Sequence, residues 1–318
     1  MARLNATLLV ACGSFATLLT AALAYAGPAF PAPQPRHTPT PAATARPSER
    51  AHHPNGVHAA APPEAIDSTR FSTGACLTYA PTSGDRHETV FLDAGHGGLD
   101  PGAVGRTRTG THVNEAAVNL AVELDTMAIL RAQGYRVVVS RTQSTTVTKL
   151  TPGDVDGRLL TPRGVLNDVT ARAACANLAD ANVLVGIYMD SGSRKNAGCV
   201  TGYDAVRPFS AANLRLATLL QDDVLSTLNA QGYKIPNEGV MRDTVLGSAL
   251  NRRALTYHHL ILLGPAKRGY LTTPSQMPGA LIEPLFVTDP FEASIAASPY
   301  GQQLIASALA EAINQYFA

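Results

Sequence analysis

Short apolar runs and longer amphipathic stretches alternate along the chain from about residue 88 to its end. The apolar runs predict buried strands over residues 90–93, 135–140, 183–188, 200–203, 260–263 and 280–282. Apolar positions spaced three and four residues apart predict helices over residues 115–133, 165–181, 211–231 and 299 to about 317. This alternation predicts an α/β fold: a single domain with a twisted, mainly parallel sheet and helices on both of its faces.

Several predicted helices carry boundary residues at their ends. Asn114 precedes the first helix and suits an N-cap, because its side chain can accept a hydrogen bond from a free backbone N–H. Gly134 and Gly232 follow two of the helices, and glycine is common just past a helix end. Ser298 and Pro299 suit the N-cap and the first position of the C-terminal helix.

The first 26 residues have the pattern of a secretory signal peptide. Arg3 gives a positive start, a mostly apolar run without charges follows, and Ala24-Tyr25-Ala26 forms a small-x-small cleavage site before Gly27. The prediction is therefore cleaved export. Because the run is also long enough to span a bilayer, an uncleaved N-terminal anchor is the alternative.

Residues 27–85 are predicted to form a Pro/Ala-rich disordered linker. Ten of the 22 prolines lie between Pro28 and Pro63, and no aromatic residue occurs between Phe30 and Phe71. Such a segment buries too little apolar surface to offset the conformational entropy that folding removes. The folded domain is accordingly predicted to span residues 86–318.

Composition and cysteine content narrow the class of protein. Hydrophobic residues make up 45% of the 318-residue chain, which is enough for a substantial core, and the net charge of +1 predicts no nucleic-acid partner. Cys12 lies in the predicted signal. For Cys76, Cys175 and Cys199, one disulfide and one free thiol is the simplest count in an oxidising compartment. Cys175 lies in an Ala-rich helical pattern and is interpreted as a buried small hydrophobe.

The clearest chemical signal lies where the first predicted strand ends. There the chain runs from three apolar residues into Asp93, and then into a glycine-rich turn around His96. Glycines allow a tight turn, and a neutral imidazole fixed on it is a good zinc ligand. Tyr188 ends the third strand and Glu283 ends the last one. Because open parallel sheets bind ligands outside the carboxyl ends of their strands, we expect these side chains to meet.

Each candidate also has a structural interpretation. Glu115 offers an oxygen ligand, but a carboxylate at a helix start is also stabilised by the helix dipole. Tyr188 is either an aromatic residue at a strand end or a phenolate ligand, and Asp190 offers another oxygen to the same face. Glu283 suits a general base whose pKa is raised by burial, or a core acid paired with Arg172. Further histidines are outside candidates for the metal, interpreted as structural or surface residues: His112, His258 and His259.

Four segments in chain order resemble the zinc-dependent N-acetylmuramoyl-L-alanine amidases of the bacterial cell wall. They are residues 93–103 around His96, Glu115 with the following Asn119-Leu120, residues 172–187, and residues 280–286 around Glu283. Each segment alone is a weak signal, but their order and spacing agree from about residue 90 to residue 317. The resemblance implies an amidase-like catalytic domain over residues 86–318, with Zn²⁺ as cofactor. It implies His96, Glu115 and the residue at position 188 as metal ligands, and Glu283 as the catalytic residue.

One position departs from the pattern of the family. The family has a histidine directly after the third apolar run, where this chain has Tyr188, followed by Met189 and Asp190. Tyr188 is therefore predicted as the third metal ligand. It is a weaker one than imidazole at neutral pH, because a phenol must first lose its proton.

The activity that the resemblance implies is hydrolysis of peptidoglycan. The bond is the amide between N-acetylmuramic acid and L-Ala of the stem peptide, cleaved by zinc-activated water with Glu283 as the base. Because of Tyr188, the alternative is a peptidoglycan-binding relative with weakened or lost hydrolysis. Export and the linker predict a secreted, cell-wall location, with membrane contact only through an uncleaved N-terminal segment.

Overall fold

The computed structural model describes residues 61–246 and 256–318, so the predicted signal peptide and most of the predicted linker lie outside the described residues. The strands are β1 (Glu64–Ala65), β2 (Ala75–Tyr79), β3 (Thr89–Ala94), β4 (Val104–Arg106), β5 (His112–Asn114), β6 (Arg136–Arg141), β7 (Val155–Asp156), β8 (Leu159–Leu160), β9 (Val183–Ile187), β10 (Cys199–Tyr203), β11 (Asn237–Arg242) and β12 (Gly279–Glu283). The α-helices bounded within these residues are α1 (Glu115–Ala132), α2 (Pro162–Leu178), α3 (Ser210–Ala230), α4 (Pro290–Ala296) and α5 (Pro299–Phe317). Within this part of the chain, none of the helices has the length and apolar character needed to cross a membrane.

Eight strands form one central sheet in the order β1-β2-β6-β3-β9-β12-β10-β11. The four middle strands β6, β3, β9 and β12 run parallel to one another. On one flank, β2 pairs antiparallel with both β6 and β1; on the other, β10 pairs antiparallel with β12 and parallel with β11. The predicted mainly parallel sheet is therefore confirmed, and the antiparallel pairings lie outside its parallel centre.

Successive side chains of the central strands point to opposite faces of the sheet, and both sets are buried. Val90 and Leu92 of β3 share one core with α1, α3 and α5. Phe91, between them, belongs to a second core with α2 and with buried leucines of residues 260–263. Both faces are thus covered, which is why the parallel strands are almost continuously apolar and why the predicted placement of helices is confirmed.

The helix boundaries follow local capping. Asn114 accepts a hydrogen bond from the backbone N–H of Ala117, and Ser298 accepts one from Gly301, so both predicted N-caps are confirmed. Helix α2 begins three residues earlier than predicted. Thr161 caps it by accepting from the Gly164 N–H, and a proline occupies its first position.

Two predictions about the organisation of the chain are wrong. Residues 260–263 are not a strand, because the N–H groups of Leu263 and Gly264 bond back to the Leu260 carbonyl in a turn. This run is apolar because its leucines pack on the sheet. The predicted linker also extends too far. Strand β2 lies within residues 27–85 and pairs with β6, so the folded domain begins before residue 86.

A disulfide joins β2 to α2 through Cys76 and Cys175, whose Cα atoms are 5.7 Å apart, and Cys199 is a buried free thiol. The predicted count of one pair and one free thiol is confirmed among the three cysteines that the structure describes. Cys175 is buried, as interpreted, but it forms a disulfide and is not simply a small hydrophobic side chain. Sequence reasoning missed the bond because it placed Cys76 in the linker.

Candidate active site

The turn after β3 holds His96 in the left-handed backbone region, with φ of 62°. Two glycines make this turn sterically feasible. A Cβ on Gly95 would lie 2.3 Å from the ring of Tyr188, and a Cβ on Gly102 would lie 2.6 Å from Glu115 Oε2 and 2.8 Å from His96 Cδ2. The glycine-rich sequence therefore allows the loop to close tightly around the imidazole.

His96 and Glu115 form the centre of the candidate site. His96 Nε2 lies 3.1 Å from Glu115 Oε1, and His96 Nδ1 lies 2.8 Å from Asp100 Oδ2. Glu115 is the first residue of α1 and is 3% exposed, and its carboxylate accepts hydrogen bonds from the backbone N–H groups of Ala103 and Met189. The structure thus brings together two side chains that the sequence predicted as ligands, and it fixes the orientation of both.

The surrounding charges favour a positive charge on the imidazole. Burial of His96 acts to lower its pKa, but the negative charges and hydrogen bonds of Glu115 and Asp100 outweigh burial and raise the pKa to about 10. The Asp100 carboxyl has a lowered pKa: burial would raise it, but the hydrogen bond and charge of His96 prevail. Two carboxylates around one imidazole attract a proton or, equally, a metal cation.

Tyr188 follows β9 and lies beside the pair, with its ring 5.4 Å from the ring of His96. Its hydroxyl donates a hydrogen bond to Asp93 Oδ2 at 3.2 Å. Burial, and after it the charge of Asp93, raises the pKa of the phenol well above its usual value. The hydroxyl is therefore protonated and bonded to Asp93, and its role as third metal ligand remains a prediction.

A buried arginine holds the backbone of this turn. Arg172 of α2 forms salt bridges with Asp93 and Asp168, each with a nitrogen–oxygen distance of 2.8 Å, and donates to the carbonyls of Ala94 and His96. These bonds, together with one from its Nε to Asp168, account for all five of its N–H groups. All five donors thus act on the end of β3, on the turn after it and on Asp168, and the pairing of Arg172 with Glu283 stays a prediction.

Sequence reasoning missed a second pair of buried charged residues behind the turn. Arg141 of β6 donates to the carbonyls of Ala94, Gly95 and Ala116. Glu123 of α1 accepts from the N–H groups of Ala94 and Ser140, and burial raises its pKa to about 7 despite the nearby Arg141. Charged residues inside an apolar pattern were the available signal, since such groups are rarely buried without a specific partner.

Glu283 lies at the end of β12, is 2% exposed, and lines the same cavity as His96, Glu115 and Tyr188. The cavity has a volume of about 250 Å³. Its other walls are largely apolar and come from α2 and from the turn segment, through Val165, Val169, Leu260, Ile261 and Leu262. A small set of polar groups thus faces an apolar wall, as is common in ligand sites.

The remaining candidates lie in different surroundings. Asp190 is buried and accepts a hydrogen bond from the Ser191 N–H, while His112 and His258 are exposed. His259 lies 3.0 Å from Asp204 and 3.0 Å from Asp243. It thus belongs to a separate cluster.

The donor set fits a zinc ion at two ligand positions. Two ligand atoms that are each about 2.0–2.2 Å from one zinc ion are separated by a distance close to the 3.1 Å between His96 Nε2 and Glu115 Oε1. Asp100 on the second imidazole nitrogen is the arrangement that commonly orients a metal-binding histidine. The hydroxyl of Tyr188 is hydrogen-bonded to Asp93, so Tyr188 is not oriented as a third metal ligand in the way that His96 and Glu115 are.

Comparisons with known proteins agree with this architecture. A family model described as N-acetylmuramoyl-L-alanine amidase matches residues 90–315. The germination-specific N-acetylmuramoyl-L-alanine amidase of Bacillus subtilis is 27% identical over 229 residues, which cover 72% of this chain and 79% of that protein. The amidase AmiA of Escherichia coli is 26% identical over 263 residues, which cover 77% of this chain and 81% of that protein.

Among solved structures, the CwlD amidase from Clostridioides difficile in complex with the GerS lipoprotein has the same fold, with a TM-score of 0.54 and 22% identity. The match covers 72% of this chain and 98% of that one. The central sheet and the polar cavity at its carboxyl edge define an α/β domain built around a cleft. Because the family model matches most of this domain, the chain belongs to the N-acetylmuramoyl-L-alanine amidase family, a family of peptidoglycan amidases.

Proposed function

We propose that this chain is an exported peptidoglycan hydrolase that cleaves the amide between N-acetylmuramic acid and L-Ala of the stem peptide. The observation that carries the proposal is that His96, Glu115 and Glu283 line one cavity at the carboxyl ends of the parallel strands. Family membership supports the choice of bond, since the relatives from Bacillus subtilis and Escherichia coli described above are N-acetylmuramoyl-L-alanine amidases.

In this mechanism His96 and Glu115 would hold a zinc ion, which when bound lowers the pKa of water and polarises a carbonyl. Asp100 keeps the imidazole oriented through Nδ1, and Arg172 and Arg141 fix the carbonyls of the turn that carries it. Glu283 takes the proton of the attacking water and passes it to the departing amine of L-Ala, so that a carboxylate and an amine are formed.

A second candidate function is peptidoglycan binding with weak or absent hydrolysis. The specific observation in its favour is Tyr188, whose hydroxyl bonds to Asp93 at the position where the resemblance predicts a histidine ligand. With two prepared ligands rather than three, metal affinity would be lower, and the cleft would still present its apolar wall and carboxylates to the substrate.

Zinc content and product analysis of the purified protein separate the two functions. For the hydrolase, zinc co-purifies with the wild type but is reduced in His96→Ala, and incubation with peptidoglycan releases peptides with a new N-terminal alanine. Retained binding to peptidoglycan without release of such peptides, at saturating zinc, would instead establish the binding relative.

Glu283→Gln tests the assigned base. We expect its rate of amide hydrolysis to fall by about two orders of magnitude or more, because the amide cannot accept the proton of the attacking water. Zinc content should be unchanged and the melting temperature should remain within a few degrees. An unchanged rate would remove Glu283 from the mechanism, and a variant that fails to fold would assign it a structural role.

A further inference from the structure

A second cluster of metal-type ligands lies at the opposite edge of the sheet. Strands β10 and β11 run antiparallel to β12, so their carboxyl ends lie beside the start of β12 and far from Glu283 at its end. Asp204 directly follows β10 and Asp243 directly follows β11. His259, from the segment that covers the sheet, reaches both carboxylates.

The three side chains converge on a small, buried space. His259 Nδ1 lies 3.0 Å from Asp204 Oδ2 and 3.0 Å from Asp243 Oδ2, and all three atoms lie within 4.8 Å of one another. Both aspartates are 0% exposed, and the side chain of His259 is 15% exposed. Ligands at about 2.0–2.2 Å from a common metal ion are separated by similar distances.

Hydrogen bonds within the protein leave one oxygen of this cluster unsatisfied. Asp204 Oδ1 accepts from the backbone N–H groups of Val206 and Arg207, and Asp243 Oδ2 accepts from the Leu260 N–H and from His259 Nδ1. Nδ1 carries at most one hydrogen, so it cannot donate to both carboxylates. Among the described residues no donor bonds to Asp204 Oδ2, although this buried oxygen points at the imidazole.

Arg207, a nearby cation, does not supply the missing hydrogen bond to Asp204 Oδ2. The guanidinium of Arg207 donates to the carbonyls of Leu263, Gly264 and Ser275. Its donors are thus used by carbonyl oxygens, while the two buried carboxylates meet at one imidazole. A divalent cation would bond to both carboxylates at once, which a single proton cannot do.

We propose that Asp204, Asp243 and His259 form a second divalent-metal site, separate from the cavity that contains His96 and Glu115. One imidazole nitrogen with two carboxylate oxygens suits a first-row transition metal such as zinc better than calcium or magnesium, which prefer oxygen ligands alone. The site is structural, since its carboxylates are buried away from solvent.

The position of the site gives it a consequence for the amidase cleft. His259 immediately precedes Leu260, whose N–H bonds to Asp243, and Leu260, Ile261 and Leu262 form part of the cavity wall. Metal bound here would therefore tie that wall to the ends of β10 and β11 and stabilise the cavity from behind.

The test uses the full chain in a His96→Ala background, so that zinc bound at the second site is counted by itself. We expect about one equivalent of zinc after equilibrium dialysis against micromolar zinc, and a rise in melting temperature with added zinc. Adding His259→Gln or Asp243→Asn should weaken zinc binding by more than about tenfold and abolish the rise. Asp223→Asn, which alters an aspartate of α3 outside the cluster, is the matched control and should change neither result.

Each outcome decides the proposal. Loss of zinc in His259→Gln with a native circular dichroism spectrum supports the site. If Asp243→Asn does not fold, His259→Gln alone provides the test, because His259 is partly exposed. An unchanged zinc content in His96→Ala/His259→Gln, or no zinc in His96→Ala alone, would overturn it. These results are independent of hydrolysis, so failure of the proposed amidase activity is recognised separately.

Discussion

Tyr188 lies where the resemblance predicts a histidine ligand, and its environment shows what this side chain does in the structure. The hydroxyl bonds to Asp93, which is itself paired with Arg172, so the tyrosine extends a buried polar network. Its ring packs directly on Gly95 next to His96. To bind a metal, the phenol would have to break its hydrogen bond to Asp93 and lose its proton. Burial and the charge of Asp93 both raise the pKa of the phenol and so oppose that loss.

Tyr188→Phe and Tyr188→His separate the structural role of this residue from a ligand role. We expect Tyr188→Phe to leave zinc affinity at neutral pH unchanged and to lower the free energy of unfolding by about 1 kcal/mol, the loss of one buried hydrogen bond. Tyr188→His should tighten zinc binding, because a neutral imidazole needs no deprotonation.

The measurement is a zinc titration of the three proteins at two pH values, with chemical unfolding for stability. If Tyr188→Phe weakens zinc binding tenfold or more, and the wild-type affinity rises with pH, the phenolate is the third ligand after all. If neither substitution affects zinc binding, Tyr188 does not occupy the ligand position.

At the scale of elements, the sequence was informative where burial and local chemistry agree. The parallel strands are apolar on both faces and the caps at Asn114 and Ser298 are local, so both were predictable. Strand β2 was not: it lies in a region rich in Thr, Ser and Gly and depends on pairing with β6. The turn at residues 260–263 and the ligands Asp204 and Asp243 likewise depend on distant contacts that periodicity does not encode.

Glu123 links α1 to β3 and β6, and its ionisation should affect the stability of that junction. Burial raises its pKa from 4.5 to about 7, so between these values the folded state binds more protons than the unfolded state. The free energy of unfolding should therefore fall as the pH rises through this window, by up to about 3 kcal/mol from this group.

Glu123→Gln removes the titration while preserving an acceptor for Ala94 and Ser140. We expect its stability to decline less than that of the wild type between pH 4.5 and 7, as measured by urea unfolding across that range. Glu292 and Asp243 also have raised pKa values and remain in both proteins, so the difference isolates Glu123. Glu311→Gln, at an exposed position, is the control; parallel profiles for wild type and Glu123→Gln would contradict the assignment.

The disulfide joins β2, the second strand of the sheet, to the helix that carries Arg172. Cys76 and Cys175 are separated by 99 residues, so the bond restricts a long loop of the unfolded chain. We expect reduction, or the double variant Cys76→Ser/Cys175→Ser, to lower the free energy of unfolding by about 2–5 kcal/mol. Reductant should have no further effect on the double variant; an effect as large as in the wild type would mean that another thiol is responsible.

For the whole molecule, the two edges of one sheet carry different chemistry. The ends of β3, β9 and β12 bring His96, Tyr188 and Glu283 to the cleft, while the ends of β10 and β11 bring Asp204 and Asp243 to the far side. The two sets of side chains lie at opposite ends of the strands because β10 and β11 run antiparallel to β12. The segment from His259 to Leu262 runs from one to the other, so the far edge supports the cleft.

The predicted location of the molecule rests on residues outside the described structure. An export signal should be removed after Ala26, because the small side chains of Ala24 and Ala26 suit a cleavage site. We expect N-terminal sequencing of protein recovered from outside the cell to begin at or near Gly27. Ala26→Leu should block this cleavage and leave the chain held at the membrane by its apolar run. Recovery of the wild type uncleaved from membranes would establish the anchor instead, and full-length wild type in the cytosol would contradict export, and with it the oxidising compartment that the Cys76–Cys175 bond requires.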